Sequence, residues 1–63
     1  MMKAILSLCE ASMESGRGVT LYFGNHSIPM VVTKIEGLEY VEGRSQEFDR
    51  IVVLLPHVTA ACA

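Results

Sequence analysis

From Met2 to Ser15 the polar residues Lys3, Ser7, Glu10 and Glu14 recur at spacings of three and four, while Met2, Ile5, Leu6, Cys9 and Met13 occupy the remaining faces. That is the helical period, and it predicts one amphipathic helix over about residues 2–15. The glycines of "SGRG", Ser15 to Gly18, stop it. After Gly18 the period changes to two. Val19, Leu21 and Phe23 alternate with Thr20 and Tyr22, which predicts a strand at 19–23. "GNHS", Gly24 to Ser27, supplies turn residues. A second strand is predicted at 28–35, with Pro29 kept to its start, where a missing N–H does least harm. Glu36 and Gly37 break the run, "LEYVE" alternates again as a third strand at 38–42, and "GRSQEFD", Gly43 to Asp49, reads as a solvated hairpin loop. The fourth and fifth strands are expected at 50–55 and 58–62, separated by Pro56 and His57. One helix followed by five short strands predicts a mainly β chain, a small, strongly bent antiparallel barrel with the helix across one open end, in a single domain over residues 1–63.

The fourth segment breaks the alternation. Ile51, Val52, Val53, Leu54 and Leu55 put apolar side chains on both faces of a strand whose second face ought to be polar. One short helix covers only part of one face, so the remaining cover is expected from another copy of the chain. The fifth segment, "VTAACA", has no charge or interior proline to blunt its edge, and Val58, Thr59, Ala60 and Cys62 are expected to join the same interface. Pairing of the fourth strand with a neighbour's fifth is a head-to-tail contact, which gives a ring when the rotation closes.

Composition supports a folded chain that needs such help. Of its residues 51% are hydrophobic and 19% charged, which suits a globular domain, yet 63 residues bury only about 60% of the surface the unfolded chain exposes. Cys9 and Cys62 are too few for a disulfide framework, and both read as buried small hydrophobes. Together with His26 and His57 they lack metal-site spacing, so neither metal nor cofactor is expected. The net charge of -2 offers no sequence-blind grip on phosphates, and any nucleic-acid contact must be local.

Lys3 ahead of "AILSLC" imitates a lipoprotein signal, but six apolar residues fall below the roughly 7–15 of a signal-peptide core. No stretch reaches the ~18 apolar residues of a membrane span. A cytoplasmic location without membrane attachment is therefore expected.

The order of a helix, "VTLYFG", "IPMVVTKIEG", a third strand, a polar loop and "RIVVLLPHVTAACA" resembles the Sm and Sm-like proteins, including the Hfq-like RNA chaperones. The fold implied is a small barrel of the Sm-like or SH3-like kind. The resemblance also implies a homo-oligomeric ring of five to seven subunits joined through the last two strands, with single-stranded RNA bound weakly at subunit boundaries. His57 matches the histidine of the family's Lys-His pair, and Pro56 stands where the lysine would be, which removes the phosphate-facing cation. Leu38 falls near the family's stacking aromatic, with Tyr40 two residues on.

The RNA-contact candidates are His57, Tyr40, Asn25 and Arg44. An imidazole in a tight turn can hydrogen-bond a base or a neighbouring carbonyl. Tyr40 offers a ring for stacking, although strand tyrosines also complete a barrel face. Asn25 suits a turn because it tolerates positive φ. Arg44 could meet phosphate, but Glu42, Glu47 and Asp49 surround it in sequence. No nucleophile elbow, phosphate-cradling glycine loop or H-E-x-x-H motif appears, so catalysis is not expected. A small barrel acting as a structural or protein-interaction module without nucleic acid is the alternative reading.

Overall fold

A computed structural model describes residues 2–63 and shows a mainly β chain: α1 (Met2–Ser15), β1 (Val19–Phe23), β2 (His26–Glu36), β3 (Tyr40–Arg44), β4 (Ile51–Leu54), a 3-10 turn (Leu55–His57) and β5 (Ala60–Cys62). All strand pairs are antiparallel, in the order β4-β3-β2-β1-β5. The sheet is strongly curled and barrel-like, with an open seam because β4 and β5 are the two end strands.

The expected alternation sets the core. Val19 and Leu21 of β1, Met30 and Val32 of β2, Val41 of β3 and Val53 of β4 are buried on the inner face, and α1 lays Ile5 and Cys9 over them. Burial also pushes the Cys9 thiol pKa up, with a smaller push from Glu10, as expected of an inert core residue.

Ser12 occupies the third inward position of α1 and is a polar group only 4% exposed. Its hydroxyl donates to the Arg17 carbonyl at 2.6 Å and accepts the Val32 N–H at 3.1 Å. The ladder between β2 and β3 slips between Val32 and Lys34, so β2 carries a bulge there and bends out of one half of the sheet into the other. The buried N–H released at the bend is thus satisfied by the helix. Gly43, opposite Val32, sits inside the same bend, and a Cβ on it would overlap the Val31 carbonyl.

Several boundaries differ from the sequence expectation. The first hairpin is tighter, with Phe23 paired to His26, so His26 and Ser27 belong to β2. Gly24, at φ 60°, takes the left-handed position there, and Asn25 does not. Gly37 to Glu39 form a turn, which moves β3 to Tyr40–Arg44 and leaves Leu38 exposed. Pro56 cannot donate to a ladder, and β4 runs out at Leu54 into the 3-10 turn. Val58 and Thr59 precede β5, although Val58 remains in the core. Cys62 is exposed, because Ala61 takes the half-buried position in a three-residue strand.

Replacing Ser12 with Ala leaves the Val32 N–H buried without a partner, and is expected to cost about 1–3 kcal/mol. Urea denaturation of Ser12→Ala against the parent chain checks this.

Candidate functional site

The features left for function are the two free strand edges and the surface around them. Leu55 donates its N–H to Glu39 at 2.9 Å, continuing the β3–β4 ladder one pair beyond Tyr40 and Leu54. Antiparallel pairs alternate between bonded and unbonded, so the N–H and C=O groups of Val52 and Leu54 point away from β3, towards open solvent. Their side chains are 47% and 53% exposed. The mixed apolar character of this strand thus resolves into an inner row, Val53 and Leu55, and an uncovered outer row, Val52 and Leu54; Ile51 is half-buried.

At the other end of the sheet, β5 is pinned to β1. Thr59 donates both its N–H, at 2.8 Å, and its hydroxyl, at 3.2 Å, to the Tyr22 carbonyl, and its Oγ1 accepts the Gly24 N–H at 3.3 Å. The two-residue hairpin makes Phe23 and His26 a bonded pair, so Tyr22 and Thr20 bond to β5 and the backbone of Ala61 faces outwards. Neither edge carries a charged residue. Of the nine positions expected at the interface, Val53, Leu55 and Val58 spend their side chains on the subunit's own core. Val52, Leu54, Thr59, Ala60 and Cys62 are exposed, and Ile51 is half-buried.

Three of the four RNA-contact candidates are linked. His57 is exposed at the end of the 3-10 turn, whose first residue bonds Glu39 beside half-buried Tyr40. Two residues after His57, Thr59 binds the hairpin whose tip carries exposed Asn25. Arg44 stands apart at the far end of β3. There it lines an open groove with Ile28, Pro29 and Met30 of β2, Phe48 of the β3–β4 loop and Ile51 of β4.

The neighbouring cation is already engaged. Arg50 holds Glu42 in a two-pronged contact, Nη2 to Oε1 at 2.8 Å and Nε to Oε2 at 3.3 Å. The hydrogen bonds from Arg50, and then its charge, lower the Glu42 pKa against the opposing effect of desolvation. Among the described residues no group of three metal-ligating side chains occurs, and no helix is long and apolar enough to cross a membrane. Sequence reading missed Ser12 and Phe48; each carries a signal, a serine at an inward helical position and a lone aromatic in the most polar segment.

Comparison with protein-family models, curated proteins and solved structures gives no match.

Because the folded-state pKa of Glu42 is depressed, the stability it contributes is present above its ordinary value of 4.5 and is lost as pH falls through the lower folded value. Glu42→Gln is expected to flatten that acid limb in urea midpoints measured from pH 6 down to 3.

Proposed function

We propose that this chain is an Sm-like, cytoplasmic subunit of a homo-oligomeric ring of five to seven copies, built head-to-tail by pairing β4 of one subunit with β5 of the next. The observation that carries the reading is that the two end strands of the curled sheet each have an outer edge that is unpaired among the described residues and uncharged. Outward backbone groups on Val52 and Leu54 are open to pairing, and Ala61 of the next subunit offers the matching type. Residues directly opposite in an antiparallel pair share a face. That places the uncovered outer row of β4 on the same side as Ala61 of the neighbour, which looks towards the neighbour's Leu21.

At each boundary, His57, Tyr40 and Asn25 form the proposed contact for single-stranded RNA. Stacking and base hydrogen bonds supply the affinity, since Pro56 provides no cation beside His57 and Arg50 is held by Glu42. Arg44 lies outside this contact. The same scarcity of free cations favours a second reading, in which the ring is a structural or protein-interaction module without nucleic acid.

Two measurements decide between these. In light scattering the parent chain is expected to be an oligomer, and Val52→Pro, which deletes an N–H pointing away from β3, a folded monomer; a monomeric parent defeats the ring. Titration of the ring with oligo-U and oligo-A at two salt concentrations should show weak binding that drops roughly tenfold in His57→Ala, in line with the loss of about one base contact. No binding at low salt leaves the module reading.

A further inference from the structure

Two surface features that the edge pairing does not use stand at matching ends of the two edges. The first is Phe48, 59% exposed in the β3–β4 loop. Its turn is closed rather than loose: Ser45 donates its N–H to the Phe48 carbonyl at 2.9 Å, and the Ser45 hydroxyl accepts the N–H groups of Glu47 and Phe48 at 3.2 Å each. Arg44 and Glu47 flank the ring, and among the described residues neither is in an ion pair.

The second is a shallow hollow between the C-terminal half of α1 and the end of β5, with Leu8, Ala11, Ser15, Gly18 and Ala63 in its lining. Glu14 and Arg17 also border it, again without ion pairs among the described residues. When β4 runs antiparallel to the next subunit's β5, as every pair within the sheet does, the Ile51 end of β4 meets the Cys62 end of β5. Phe48 lies three residues before Ile51, and Ala63 directly follows Cys62.

We propose that Phe48 of each subunit inserts into the α1–β5 hollow of the next, with Arg44 facing Glu14 and Glu47 facing Arg17 across the boundary. The occupant of the hollow is a second copy of this chain, because the apolar knob and the hollow each carry one acid and one base, and both continue the same edge contact. The inference rests on the ring reading, and supplies what a four-residue strand against a three-residue strand lacks, an aromatic anchor in a desolvated pocket. A knob on one surface fitting a hollow elsewhere on the same molecule is by nature a head-to-tail contact.

Sedimentation of dilution series tests this, with thermal melts to confirm that each variant folds. Phe48→Ala is expected to raise the concentration at which the ring dissociates roughly tenfold or more, the loss typical of an interface anchor. Arg44→Glu and Glu14→Arg should each weaken assembly, and their combination should restore it. A benzoylphenylalanine at position 48 should photo-cross-link to segment 8–18, or to Ala63 beside it, of another subunit. If Phe48→Ala assembles like the parent, or if the cross-links miss both, while Val52→Pro still disperses the ring, the knob is overturned and edge pairing stands. A parent chain that is monomeric at every concentration overturns both.

Discussion

The architecture turns on the bend of β2 at Val32. A bulge raises local twist and leaves an N–H outside the ladder, and in the interior that N–H needs a partner. Ser12 supplies it from the helix, so the docking of α1 and the bending of the sheet are one interaction. Gly43 makes room on the neighbouring strand. Once β2 is bent, β1 with β5 and β3 with β4 form two halves around a shared core, and the chain returns from one to the other through five residues, the first three a 3-10 turn. The seam has no ladder across it, which is why both end strands keep open edges.

How much of this was legible in the sequence follows from the kind of signal each part left. Period-2 alternation in Val19 to Phe23 and the helical spacing of Ile5 and Cys9 both mark core faces, and both are buried. The double-sided apolar run Ile51 to Leu55 pointed to an uncovered face, and Val52 and Leu54 are uncovered in the single chain. Strand ends were less legible, because they depend on ladder competition rather than pattern: Pro56 stops β4 early, and the turn at Gly37 delays β3. The spacing of Ser12 from Ile5 and Cys9 marks it as an inward serine, but its partner is the N–H freed by the bulge, which the pattern does not show. The link between Asn25, His57 and Tyr40 passes through the Thr59 hydroxyl and the backbone of Leu55, and neither partner can be read from the local pattern.

Electrostatics separates assembly from nucleic-acid binding. Grip on a polyanion comes from several cations acting on successive phosphates. Here Arg50 is committed to Glu42, Lys34 sits 3.7 Å from Glu36, and the net charge is -2. The exposed Lys34–Glu36 pair contributes little to stability, yet each pair removes a cation from the surface. The proposed edge pairing would need no charge at all, since it would work through backbone groups and apolar side chains. The shortage of free cations thus bears on the proposed RNA contact and not on the proposed ring.

Scattered exposed hydrophobics are ordinary on any small protein, so the distribution rather than the number carries weight. Among the described residues five large ones are exposed, Met13, Leu38, Phe48, Val52 and Leu54. Three of them, Phe48, Val52 and Leu54, belong to one edge strand or to the loop that leads into it. A chain seeking only solubility would place lysine or proline on such an edge. Keeping β4 free of charge while fixing Phe48 in a closed turn gives the surface a direction. That directionality favours a repeating head-to-tail partner over non-specific association.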